Sequence, residues 1–371
     1  MMKTKPIVVL LLVSLILVAG CKKNGTPADP NQLLIGQMQA VTDSLIRNTQ
    51  IPGIVALVVD HKRGIDWLYT AGLSDILNKL PMDGSYTFRI GSNTKTMVGT
   101  VLLQLVEEGK LALNDKLSKY YPAYSQSDSI TIATMCNMSS GIFNFFEDQT
   151  WAKALADNPS RVWAPYESVD AGLSHDLYYH PGTGWHYSNT NTFILGMLIE
   201  KLTGHSLQAE INNRIITPLG LTNTGFLTSG IALPGSHGRG YYAGSYAEGA
   251  DVTEYLDASV FWAGGSGYST PRELQKYVEK LVGGGFLSDS LQHRRLTENW
   301  VANEMFSYYG LCLSHRGSFY GNYGDMPGFV SSMYHSNDKD CTVIIYFNCQ
   351  LELKSEFLFR RFMDILYGKD F

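Results

Sequence analysis

Ser92 and Lys95 stand three residues apart in "GSNTKTM", immediately before the apolar run "MVGTVLLQLVEEGK". On a helix, residues i and i+3 share a face one turn apart, which sets the lysine ammonium over the serine hydroxyl. A lone serine is a poor nucleophile and needs a base. A lysine can serve once burial lowers its affinity for a proton, and a helix N-terminus adds N–H groups that can hold a developing oxyanion. The same residues also read as an ordinary helix cap, and for an isolated S-x-x-K that is the simpler reading.

Two further segments bear on the choice. "PGTGWHYSNTNTFILG" places Tyr187 and Asn189 in a loop entering a helix. A tyrosine held near positive charge can relay a proton, and an asparagine two residues on can hold an amide carbonyl. Alone, the pair reads as a packed aromatic beside an Asn cap. "YGNYGDMPGFVSS" reads as an edge strand beside a cleft, where a residue after Gly324 can turn a backbone N–H toward the serine.

These elements need positioning. Leu34, Met38, Val41 and Leu45 draw one apolar stripe, which predicts a helix over residues 31–49. "IVALVVDH" and "DWLYTAGL" read as two strands, and strand signals return after residue 306 in "SYYGLCLSHR", "SFYGNYG", "FVSSMYHS" and "CTVIIYFNC". Between them, residues 110–225 are mostly helices and loops. "STPRELQKYVEKLV" predicts a further helix, and "KSEFLFRRFMDILYG" closes the chain with another. One sheet built from both chain ends, with a helical block inserted, is the economical α+β architecture.

In order, the three segments resemble the signatures of the penicillin-recognising serine hydrolases: S-x-x-K, then Y-x-N, then K-T-G or H-x-G. The Y-x-N form is similar to the D-alanyl-D-alanine carboxypeptidase and class C β-lactamase branch. "FRIGSNTKT", "LLQLVEEGKLALNDKLSKYYP", "YSNTNTFILGMLIEKLTGHS" and "AGGSGYSTPREL" carry the likeness from residue 33 to the C-terminus. The resemblance implies Ser92 as acylated nucleophile, Lys95 as its base or the holder of it, and Tyr187 as the partner in proton transfer. It implies Asn189 on the substrate's acyl amide and an oxyanion hole from the N–H groups of Ser92 and Asp325. The implied fold is a mainly antiparallel sheet with flanking helices plus an all-helical subdomain, with no metal and no cofactor. The implied substrate is a D-alanyl-D-alanine peptide of peptidoglycan, with β-lactams as acylating mimics. An esterase or D-amino-acid amidase of the same fold is the alternative, and a non-catalytic peptidoglycan-binding protein a third reading.

The third signature departs from the pattern. Asn322, expected with Gly324 and Asp325 to bind substrate, stands where the resemblance asks for lysine or histidine, so it offers a neutral hydrogen bond in place of a charge-assisted one to a carboxylate. Asp325 adds a carboxylate just beyond. Arg316, on the same strand face as Ser314, is the candidate replacement for carboxylate binding.

The first residues address the compartment. Lys3 and Lys5 precede an apolar run from Ile7 to Ala19, too short for a comfortable span but fitted to a signal peptide over residues 1–20. Its end, Leu17-Val18-Ala19-Gly20-Cys21, resembles a bacterial lipoprotein cleavage box. The expectation is a lipidated Cys21, a flexible tether over 21–32, and a hydrolase domain over 33–371 anchored at the cell envelope. Without the leader lysines the chain has 27 Lys and Arg against 34 Asp and Glu, and no basic patch, which argues against nucleic acid as partner. The other cysteines fit no zinc spacing, and Cys341 and Cys349, about 26 Å apart along one strand, cannot pair within it.

Overall fold

The computed structural model describes residues 30–124, 126–242, 251–350 and 355–368. The expected signal peptide, Cys21 and most of the tether lie outside them. The first helix runs Pro30–Asn48, close to the 31–49 that the apolar stripe predicts, so the tether drawn to residue 32 overlaps its first turn. Proline suits the first turn, where its missing N–H costs nothing.

A nine-stranded sheet forms from both ends of the chain. Third from one edge, Gly53–Asp60 lies between Ile65–Asp75 and Cys341–Phe347, antiparallel to both. Beyond Cys341–Phe347 come Phe329–Ser336 and Phe319–Met326, each antiparallel to its neighbour. The short strands Ser314–Arg316, Ser307–Tyr309 and Val301–Asn303 complete that edge.

Strand alternation feeds two cores. Val55, Leu57 and Val59 enter one cluster with Ile344 and Tyr346, while Ile54, Ala56 and Val58 enter the other with Val343 and Ile345. Both faces are covered, which is why "GIVALVVD" is buried throughout. The second cluster packs the terminal helices through Met38, Leu45, Leu358, Phe359 and Phe362. The first packs the helices of the middle of the chain.

The helix Thr94–Glu107 sits inside that first cluster, buried at eleven of its positions, as an all-round apolar helix must be. Gly109, at φ +70°, lies just beyond its end. Among the described residues, 117–216 hold only helical elements, turns and loops, including Asn189–Thr203, which ends on Gly204 at φ +74°. The stretch "SYYGLCLSHR" is not one strand. It breaks at Cys312, whose φ of +54° turns the chain between Ser307–Tyr309 and Ser314–Arg316.

Candidate active site

Gly91–Asn93 is a single 3-10 turn leading into Thr94–Glu107. Gly91 holds φ +51°, and a Cβ there would come to 3.1 Å from the Asp325 nitrogen. The strand Phe319–Met326 presses closer still. A Cβ on Gly324 would meet the Ile90 carbonyl at 2.1 Å. These two glycines permit the close approach that sets the Asp325 N–H on the same rim as Ser92.

The polar groups converge as the spacing predicts. Lys95 Nζ lies 3.0 Å from Ser92 Oγ, 2.8 Å from Asn189 Oδ1 and 2.7 Å from the Gly264 carbonyl. Tyr187 donates its hydroxyl to Ser92 Oγ at 2.8 Å, and its ring centroid is 4.9 Å from Lys95 Nζ. Burial pushes the Lys95 ammonium down to about 7, with Cys312 opposing the shift. Burial also raises the Tyr187 phenol well above its ordinary range, against the bond to Ser92. A neutral lysine has two N–H groups for Asn189 and Gly264 and one lone pair left, which can only meet the serine hydroxyl. Every contact around Nζ is thereby satisfied with Lys95 uncharged.

Gly264 is a site residue that sequence reasoning missed. Its signal was the Gly264-Gly265 pair, since a Cβ on Gly264 would come within 3.1 Å of Asn189 Oδ1 and 3.5 Å of Lys95 Nζ. Asn144 was missed as well. It accepts from the Asn189 backbone N–H at 3.1 Å and from its Nδ2 at 3.4 Å, fixing the loop entrance to that helix.

Two expectations are corrected. Asn322 does not face the cleft: it is fully buried and donates from Nδ2 to the Ser92 carbonyl at 2.8 Å. Strand alternation explains this, because Asn322 and Gly324 point toward the Ser92 turn while Tyr323 and Asp325 line the cleft. Arg316 is no free carboxylate ligand either. Its guanidinium forms a two-pronged pair with Glu356 at 3.0 and 2.9 Å and donates to Ser307 Oγ and the Met305 carbonyl. It shares the Ser314 face as expected, but that face looks toward the C-terminal helix. Breaking a buried pair by removing one partner typically costs ~3–5 kcal/mol. Arg316→Met is therefore expected to lower unfolding free energy by that order in urea titration, with much of the loss recovered in Arg316→Met/Glu356→Leu.

Ser92, Tyr187, Asn189 and Asp325 open onto one cleft of about 630 Å³. Its walls are apolar and aromatic: Phe146, Trp151, Leu155, Tyr255, Phe261, Met305 and Phe306 among them. Its polar end holds the Asp325 carboxylate, which accepts from Tyr323 and from Gln350 Nε2, both at 2.7 Å. Among the described residues, nothing partners the buried Gln350 Oε1 there. Among the described lining residues there is no lysine, arginine or histidine. No group of three or more potential metal ligands occurs among the described residues.

This chain matches a known family. The beta-lactamase family model covers residues 34–364, and the chain belongs to that family. Its fold is that of the penicillin-binding and β-lactamase serine hydrolases. Among curated proteins it is 28% identical to the putative penicillin-binding protein PbpX of Bacillus subtilis over 271 residues, 72% of this chain and 63% of that protein. It is 31% identical to protein flp of Staphylococcus aureus over 51% of this chain and 38% of that one. The chain thus spans less than two thirds of the length of these relatives. Among solved structures it resembles a D-stereospecific amidohydrolase from Streptomyces sp., with a TM-score of 0.79 and 28% identity over 90% of this chain and 98% of the other. The D-amino acid amidase of Ochrobactrum anthropi SV3 gives 0.77 and 25%, with the same coverage.

Proposed function

We propose that this chain hydrolyses the amide or ester bond of a D-amino-acid derivative that carries a free ammonium group and an apolar side chain. The observation that carries the reading is the charge of the cleft. Asp325 and the unpartnered Gln350 Oε1 suit a cation, and no basic side chain among the described lining residues suits a carboxylate. A carboxypeptidase must recognise a C-terminal carboxylate, and Arg316, the candidate for that role, is paired with Glu356, while the neutral Asn322 is turned to the Ser92 carbonyl. The aromatic walls suit an apolar side chain. The likeness to two proteins named for D-stereospecific amide hydrolysis supports the D configuration.

In the proposed mechanism Ser92 Oγ attacks the carbonyl carbon while its proton passes to the neutral amine of Lys95. The N–H groups of Ser92 and Asp325 hold the oxyanion. Tyr187, protonated at neutral pH, donates to the departing nitrogen or oxygen and is reprotonated from Lys95. Asn189 offers its remaining Nδ2 hydrogen to the substrate. Water then attacks the acyl-enzyme with the same groups run in reverse. With Cys21 lipidated, the reaction would take place at the cell envelope.

The test compares kcat/KM for D-phenylalanine amide, its N-acetylated form, and a peptide ending in D-alanyl-D-alanine. The expected order places the free amine first, and Asp325→Asn lowers that preference by about tenfold, the order of one charge-assisted contact. Faster release of D-alanine from the peptide than of ammonia from the amide would overturn the reading.

A further inference from the structure

Asn189 joins the base to the cleft, and a side-chain amide can do so either way round. As it stands, Oδ1 accepts from Lys95 Nζ at 2.8 Å, which leaves the lysine lone pair to the serine hydroxyl. Turned over, the same side chain would aim an Nδ2 hydrogen at Lys95. That hydrogen would take the lone pair, an N–H of the neutral lysine would face Ser92 instead, and the base would have become a donor. The substrate would meet Oδ1 in place of a hydrogen. The two ends of an amide are nearly equal in size, so hydrogen bonding and not packing decides between them.

The decision is made behind the cleft, at Asn144. This buried residue stands just before the 3-10 turn Phe145–Glu147 and is not among the residues that line the cleft. Its Oδ1 faces both the Asn189 backbone N–H and Asn189 Nδ2. Turning Asn189 over would set one carbonyl oxygen against another. Asn144 cannot turn to meet it, because both of its own partners have a fixed character. The Asn189 backbone N–H can only donate, and the Glu147 carboxylate that takes Asn144 Nδ2 at 3.2 Å can only accept. Tyr178 closes the group: its hydroxyl donates to the other Glu147 oxygen at 2.7 Å and accepts from the Asn144 backbone N–H at 3.1 Å.

We propose that Asn144 is a positioning residue for the serine–lysine centre: held in one orientation by Glu147 and by the Asn189 N–H, it fixes which way the Asn189 amide faces and so keeps the Lys95 lone pair on Ser92. The inference rests on the hydrolase reading above in taking Ser92 as nucleophile and Lys95 as its base, and it is independent of the substrate.

What the position requires is therefore an acceptor, and three changes separate that from a need for asparagine or for bulk. Asn144→Leu keeps the branched shape and removes the acceptor. Asn144→Asp keeps the acceptor toward Asn189 but sets a second carboxylate against Glu147 and loses the bond between them. Adding Glu147→Gln restores a donor to that bond, so the chain of hydrogen bonds runs in its original direction with the carboxylate moved one link closer to Asn189. Like charges held close together are unfavourable, so the paired variant should outperform Asn144→Asp alone.

The test measures, on the full chain and per folded molecule, the rate at which a fluorophosphonate labels Ser92, beside kcat for D-phenylalanine amide. In labelling, Ser92 Oγ bonds to phosphorus, fluoride leaves, and the hydroxyl proton passes to Lys95, so the rate reads the base whatever the substrate. Asn144→Leu is expected to label at least about a hundredfold more slowly, the lower end of what a general base contributes. Asn144→Asp/Glu147→Gln is expected within about tenfold of the parent, the order of one hydrogen bond, and faster than Asn144→Asp. Labelling of Asn144→Leu at the parent rate overturns the proposal. If Asn144→Leu does not fold, the other two still decide: a paired variant no faster than Asn144→Asp overturns it, since a merely structural role predicts no rescue from a second change. Labelling in the expected order without hydrolysis of the amide upholds the positioning and counts against the proposed substrate alone. A folded parent that is not labelled at all overturns both.

Discussion

Ser92→Ala is expected to remove about six orders of magnitude from kcat, and Lys95→Met nearly as much, with the double variant no slower than Ser92→Ala alone. Groups that act as one unit show this non-additivity, because a base has nothing to do once its nucleophile is gone. The contacts here bind the two into such a unit: Ser92 Oγ lies 3.0 Å from Lys95 Nζ and 2.8 Å from the Tyr187 hydroxyl. Single-turnover kinetics on the three variants checks it. Full additivity of the two losses would mean that Lys95 acts on something other than the serine.

The second large effect is on pH. Lys95 serves as a base only when neutral, and burial brings its proton affinity down to about 7. Hydrolysis is expected to rise tenfold per pH unit below about 7 and to level off above it. Stability carries the same signature. Between about 7 and the ordinary lysine value near 10.4, the unfolded chain binds a proton that the folded one does not. Unfolding free energy should therefore climb with pH across that window. Lys95→Met removes this slope and replaces a buried polar head with an apolar one, so it is expected to be more stable than the parent at pH 6. Urea titrations of both proteins at pH 6, 8 and 10 check it, and parallel curves would contradict it.

The parts of this site that were legible in the sequence are those whose geometry is local. Ser92 and Lys95 meet because three helical residues make one turn, and Tyr187 with Asn189 announces itself at a helix entrance. The central strands were legible because a continuous apolar run such as "GIVALVVD" must be covered on both faces. What was not legible came from sequence-distant partners. Arg316 read as an available cation on a strand end, but its partner Glu356 lies forty residues on, in the closing helix. Asn322 read as a substrate ligand because its position in the motif was known and its facing was not. The strand over 307–316 was drawn as continuous, since nothing in "YGLCLS" signals that a cysteine takes the left-handed turn normally left to glycine. The Gly264 carbonyl, which completes the lysine's shell, has no side chain to advertise it.

The most direct measurement of the account is the intact mass of the protein mixed rapidly with a D-phenylalanine ester and quenched in acid, followed by peptide mapping. A mass gain of one phenylalanyl group is expected on Ser92, absent in Ser92→Ala, with slower accumulation in Tyr187→Phe. Hydrolysis of the ester with no adduct at Ser92 on the timescale of one turnover, or an adduct on another residue, would contradict it.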